Sequence, residues 1–189
     1  ENIIVIIAIG THRKNSQEEL RTLALPYVYD RVAKVLDHDC DEPCVYIGKT
    51  SYGTEVEVNP LVIDRKVIVI GGTVHHVMAG YGGGRKSIVP GVASRKTIKQ
   101  NHIMALDPNE KHSYEFVGQG EFSKNPINQD MREAGSLLNV TFGINIVVNT
   151  RNKHSALFSG AFDESWKESC RYVQQCYGKS IDYEADVVF

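Results

Sequence analysis

A chain of 189 residues, 42% apolar and 23% charged, is long enough to bury its own core and has the composition of an ordinary globular protein. Its formal net charge of −2 leaves no electrostatic footprint for nucleic acid or an anionic membrane surface. The longest apolar run, Ile3 to Ile9, is too short to span a bilayer, and neither a basic leader nor a cleavage signal accompanies it, so no secretory peptide is expected. Four irregularly spaced cysteines do not make a disulfide framework at this length, which makes the cytoplasm the expected location. The chain opens on Glu1, and Asp186-Val187-Val188-Phe189 reads like a strand just starting, so a piece of a longer protein is expected.

In chain order, Ile3 to Ile9 has the pattern of a strand buried on both faces, ended by Gly10. Ser16 and Glu19 form a capping box that predicts a helix toward Leu25. Pro26 interrupts it, and a second helical piece is expected through Tyr29 to Leu36. Val45 to Ile47 reads as a short strand, and Glu55 to Val58 alternates as a strand with one solvated face does. Asn59-Pro60 turns the chain, and Lys66 to Ile70 is another buried strand, closed by Gly71-Gly72. Helices are expected over about Ser94 to Met104 and over Asp130 to Leu138. Phe142 to Val148 and Ala156 to Phe158 read as strands around a turn at Arg151-Asn152. Asp163 is a good N-cap for a helix to Tyr177, and a last strand begins near Asp186. This alternation predicts an α/β fold, a three-layer Rossmann-like domain with a mostly parallel sheet, as one domain over residues 1–189. Ligands bind at the carboxyl ends of such strands, so the loops carrying His12 and His76 are expected to line one crevice.

The densest chemistry lies in Thr73-Val74-His75-His76-Val77-Met78-Ala79-Gly80-Tyr81-Gly82-Gly83-Gly84-Arg85-Lys86. Its glycines cost folding entropy, which is reasonable where backbone must approach a ligand or adopt positive φ. Gly80 to Ser87 almost fits a nucleotide-triphosphate loop. Arg85 stands where that pattern needs Gly, and the preceding strand ends too early, so the match is read as accidental. His12 follows the first strand between Thr11 and Arg13. His102 falls near a helix end, where it could also be a C-terminal cap favoured by the helix dipole. His38, His112 and His154 lie in polar stretches and receive no role. His38-Asp39-Cys40-Asp41-Glu42-Pro43-Cys44 looks like part of a metal site, but Cys170 and Cys176 are too far apart to complete a usual zinc set. A zinc hydrolase built on His75, His76 and His102 would need a carboxylate base, and none occurs between Gly71 and His102. A nucleotide- or anion-binding module without chemistry of its own is the other alternative.

Together these pieces resemble the nickel-dependent lactate racemase family. The resemblance runs from Gly10-Thr11-His12-Arg13 through His38-Asp39, Gly48-Lys49-Thr50 and Gly53-Thr54. It continues with His76 to Lys86, Pro90-Gly91, Thr97-Ile98 and Asn101-His102, then Asn125-Pro126, Asp130-Met131 and Ser159-Gly160. The spacings of ten residues from His76 to Lys86 and sixteen from Lys86 to His102 are similar to the family's. Lys14 stands where the family commonly has Pro, and Gly82 where a small hydroxyl residue is expected. The resemblance implies a two-domain α/β protein of which this chain is most of the amino-terminal domain. It implies a nickel-pincer nucleotide held covalently on Lys86 beside Gly82, Gly83 and Gly84, with His102 as nickel ligand and His12 and His76 as the acid/base pair. The substrate would be a small 2-hydroxy acid, and the partners would be the proteins that make the cofactor. The family's phosphate-gripping segment would precede residue 1, and its substrate-binding Gln and Lys would lie beyond residue 189, so this segment alone is expected to be inactive. The resemblance leaves the oligomeric state open.

Overall fold

The computed structural model describes residues 2–109, 112–151 and 153–180. The strand expected near Asp186 lies outside the described residues. The first strand, β1, is Ile4–Ile7. Ser16 caps helix α1, Gln17–Ala24, with the reciprocal Glu19 bond of a capping box. Pro26 starts a single turn of helix, α2, Pro26–Tyr29. The helix expected to continue to Leu36 does not form. Lys34–Asp37 is instead strand β2, parallel to β1 with Ile4 opposite Lys34 and Ile7 opposite Asp37. The positive φ of 65° at Leu25 breaks helical continuity, and the β-branched Val35 finds a partner strand.

Strands β3, Val45–Lys49, and β4, Glu55–Val58, form an antiparallel hairpin. Its alternation is as expected, with Val56 and Val58 fully buried. Strand β5, Val67–Gly72, runs parallel to β8, Val140–Val148, which pairs antiparallel with β9, Val148 being opposite His154 in β9, His154–Gly160. Between β5 and β8 come a two-residue pair, β6, His75–His76, and β7, Gly80–Tyr81, then helices α3, Arg95–His102, and α4, Pro126–Ser136. Helix α5, Phe162–Tyr177, closes the described chain.

Among the described residues the fold is therefore mixed α/β with several small sheets and five α-helices, and the single, mostly parallel, three-layer sheet is not seen. Only β1–β2 and β5–β8 are parallel pairs among the described residues. Helix α5 covers one face of β5-β8-β9, where Trp166, Cys170 and Val173 pack with Val147. The other face carries Ile68 at 59% and Ile70 at 64% exposure, with Phe142 and Leu157 beside them. The expectation that β5 is buried on both faces thus fails: Val69 is buried and its neighbours are not. Asp163 is also not the cap of α5. It sits one residue inside the helix, and its carboxylate takes Arg85, Arg132 and Lys167.

One buried polar cluster ties the hairpin to two helices. Asp130 of α4 is fully buried and accepts from the Thr50 and Thr54 hydroxyls at 2.5 and 2.9 Å and from the Asn101 amide at 2.7 Å. Removing a shared acceptor strands every donor that used it. Asp130→Ala is expected to cost about 3–5 kcal/mol, and Asp130→Asn less, because the hydroxyls can turn to accept. Urea unfolding checks this as a lower midpoint at unchanged slope.

Candidate functional site

The adjacent histidines of β6 serve opposite faces, as neighbours in a strand must. His75 packs on Tyr81, and its Nε2–H donates to Gln174 Oε1 at 3.1 Å. His76 turns the other way, and its Nδ1 accepts from the backbone N–H groups of Met78 and Ala79 at 3.2 and 3.1 Å. Helix α4 holds this turn from behind. Asn125 donates to the Met78 carbonyl at 2.7 Å and Asn128 to the Ala79 carbonyl at 2.8 Å. Gly80 follows at φ +77°, where an added Cβ would lie 1.9 Å from the Glu121 carbonyl oxygen, so no other residue fits.

The triple glycine then packs against the protein itself. The Gly82 carbonyl accepts from the Trp166 indole at 2.9 Å. A Cβ on Gly84, at φ +51°, would come within 2.6 Å of the Trp166 ring. A turn of 3₁₀ helix, Gly84–Ser87, sends Arg85 and Lys86 in different directions. Arg85 is buried in an ion pair with Asp163, and burial, with help from Arg132, pushes its pKa down to about 10. Lys86 is half-buried with no ion pair or hydrogen bond among the described residues, and burial pushes its pKa down.

His102 ends α3, which Ser94 caps at its start. Its Nδ1 is buried without a well-formed hydrogen bond, although the Ile98 carbonyl one turn back favours the protonated ring to a small extent. Burial first, and Lys86 second, lower the His102 pKa. Burial, then Lys86, then His102 lower that of His76. Lys86, His76 and His102 thus lie within electrostatic reach of one another. His12 comes from the first loop. Gly10 N–H donates to the Gly91 carbonyl at 3.1 Å, and Gly91 N–H donates to the Lys86 carbonyl at 2.9 Å, so backbone bonds link the two loops. The exposed His12 ring makes no hydrogen bond among the described residues.

The other expectations resolve plainly. His38 is fully buried, not in a polar loop: its Nε2 donates to the Ala93 carbonyl at 2.9 Å and its Nδ1 accepts from Asn59 at 3.2 Å. Asp39, Cys40 and Asp41 gather their ligand atoms within 4.8 Å, but the two carboxylates already pair with Lys14 and Arg95. His75, His76 and His102 form no such group among the described residues, and His75 turns away from His76 toward Gln174. Asn125 and Asp130 entered the sequence reading only as part of the resemblance and Asn128 not at all; that all three are supports was missed.

Residues 1–113 match the family described as the lactate racemase N-terminal domain. The chain belongs to the lactate racemase family. It is 30% identical over 176 residues to the lactate racemase of Thermoanaerobacterium thermosaccharolyticum, covering 92% of this chain and 40% of that protein. It is 29% identical over 180 residues to the lactate racemase of Lactiplantibacillus plantarum, with the same coverage of 92% and 40%. The solved lactate racemase apoprotein from T. thermosaccharolyticum superposes with a TM-score of 0.83 at 27% identity, over 92% of this chain and 41% of that one. The chain thus spans about 40% of the length of the lactate racemases it matches. No helix among the described residues is long and apolar enough to cross a membrane.

The lowered pKa values make this site's stability depend on pH with a definite sign. His76 and His102 titrate lower folded than unfolded, so their contribution is present above about pH 6.5 and is lost as pH falls below it toward the folded values. For Lys86 the burial penalty on its charge is fully present at neutral pH and fades as pH rises through the folded pKa toward about 10.5. Lys86→Met, which removes the penalised charge, is expected to raise Tm at pH 7. Thermal melts should show that gain shrinking at pH 10.

Proposed function

We propose that this chain supplies the cofactor-holding half of an active site that racemises or epimerises a small 2-hydroxy acid such as lactate. The observation that carries this reading is the half-buried Lys86 amine, without an acidic partner among the described residues, within electrostatic reach of His76 and His102. These residues fit a lysine-tethered nickel-pincer nucleotide. An amine whose charge is disfavoured is a nucleophile suited to a thioamide link. Burial and Lys86 disfavour protonation of the His102 ring, and a nickel ligand must be a neutral imidazole. Gly82, Gly83 and Gly84 are the backbone flank that leads into the tether.

When bound, that group supplies a hydride acceptor, so the α-hydrogen need not leave as a very weakly acidic proton. The protein's own part is proton handling at the hydroxyl oxygen. In this reading His12, from the loop after β1, and His76, from β6, share that task, since imidazole can hold or release a proton near neutral pH. In this reading the remaining groups of the site lie on polypeptide outside this segment, and the cofactor-making enzymes are its partners. Four free thiols suit the reducing cytoplasm.

The test is intact mass and metal analysis of the full-length protein co-produced with the cofactor-making enzymes, with a chiral assay of D- and L-lactate. The expected result is nickel and an added mass on Lys86, both lost in Lys86→Ala. His12→Ala is expected to lower kcat by about 10²–10⁴ while keeping the added mass. A folded, co-produced protein with neither nickel nor adduct overturns the reading.

A further inference from the structure

One cationic cluster takes no part in the site described above. Arg85, Arg132 and Lys167 share a single carboxylate, that of Asp163. Arg132 reaches it at 3.1 Å and Lys167 at 2.8 Å, both at the same oxygen. Glu164 follows in the chain but is exposed, and even with it counted the cations outnumber the carboxylates. Arg85 is only 8% exposed, and a guanidinium cannot shed its charge to escape burial. Its Nε–H has no hydrogen-bond partner among the described residues, and neither has that of Arg132. Buried donors are ordinarily met, because leaving one unmet costs more when the group is charged. The space beside Arg85 is not filled by protein. A crevice of about 410 Å³ opens between the end of α4 and the start of α5, and Arg85 lines it together with Ser136, Asn139, Phe162, Asp163 and Glu164. Helix α5 presents its start to this crevice, and Ala161 there offers no side-chain cap. Its first-turn N–H groups therefore add their partial positive charge to that of Arg85.

We propose that the crevice between α4 and α5 is an anion site, floored by Arg85, that takes a phosphate- or sulfate-type oxyanion. A water molecule in the crevice could accept from the unmet N–H groups, but it brings no charge. An oxyanion does both. Its separate oxygens can accept from the Arg85 Nε–H and from the first-turn N–H groups of α5, and its charge offsets the surplus of cations. Asp163 does not repel it strongly, because its own charge is already turned toward three partners. The Phe162 ring forms an apolar wall beside the guanidinium and keeps bulk water from screening the attraction. None of His12, His76, Lys86 and His102 lines the crevice, so this anion is not bound by the groups assigned to the racemase site. The two places are still mechanically joined. Arg85 and Lys86 share one turn of 3₁₀ helix, and an anion that fills the donors of the first residue steadies the backbone of the second.

The test is a titration of the ¹⁵N-labelled 189-residue chain with inorganic phosphate near neutral pH, followed through the arginine side-chain Nε–H signals. The Arg85 signal is assigned by its loss in Arg85→Lys. Should that variant fail to fold, it is assigned by through-bond correlation to the Arg85 backbone. The expected result is a saturable shift of the Arg85 signal with phosphate and none with chloride at matched ionic strength. Asn139 is exposed at the rim of the crevice, so Asn139→Asp adds a negative charge there without disturbing the core. It is expected to weaken phosphate at least threefold. Arg85→Lys keeps a cation for Asp163 but removes the Nε–H, and it is expected to weaken phosphate at least tenfold. Phosphate should also raise the Tm of the unsubstituted chain in a concentration-dependent way, and less so that of Asn139→Asp. An Arg85 signal that does not move, a shift that chloride reproduces, or equal phosphate affinity in Asn139→Asp overturns the proposal. The titration needs neither cofactor nor turnover, so this proposal and the racemase reading can each fail alone.

Discussion

The geometry of this site depends on the polar side of one short helix. Helix α4 reaches the turn behind His76 through Asn125 and Asn128, and one turn after Asn125 its Asp130 gathers Asn101, the residue before His102. The same carboxylate takes Thr50 and Thr54 from the turn of the β3–β4 hairpin. Each of these groups is buried, and an unmet buried donor or acceptor costs about 1–3 kcal/mol, so removing one of them is costly to its partners. Two histidines on separate elements are thereby tied to one helix, which fixes their backbone positions relative to each other.

What could be read in the sequence follows the range of the interaction involved. The Ser16–Glu19 capping box and the alternation of Glu55 to Val58 are local, and both appear where their patterns place them. Strand β2 was hidden because its identity comes from pairing with β1, and Val28 to Leu36 fits a helical pattern equally well. The β-branched run of β5 announces a strand but not what covers it, and Ile68 and Ile70 face outward. For the site, spacing pointed to His76 over its neighbour, and strand alternation supplies the physical difference, since His75 is engaged by Gln174. Asn125 and Asn128 were illegible as supports. Asparagine at a helix start reads as a cap, which Asn125 also is, and nothing local says which carbonyls its amide will meet.

Arg85 and Lys86 show how one chain solves two adjacent cations differently. A buried charge needs a counter-charge or must give up its proton. Arg85 cannot readily give up its proton, and the fold supplies Asp163 at the start of α5, with Phe162 beside it. Lys86 has no such partner among the described residues, so burial acts on it unopposed and favours the free amine. The difference is chemical as well as electrostatic: a guanidinium is a good anchor and a poor nucleophile, whereas a neutral amine is the reverse. Anchoring the first residue of the pair is what holds the second at a constant place.

His102 decides between two readings of a histidine at a helix end. A dipole cap at the last turn would favour the charged ring and raise its pKa. The Ile98 carbonyl acts in that direction, but burial and Lys86 act against it, and they prevail. A cap would also spend its ring on the helix's last carbonyls, whereas Nδ1 of His102 lacks a well-formed bond. A buried, under-bonded ring whose protonation is disfavoured by burial and by the nearby Lys86 is poorly explained by helix stability. It is compatible with the ligand role proposed for His102, since a protonated imidazole cannot bind metal.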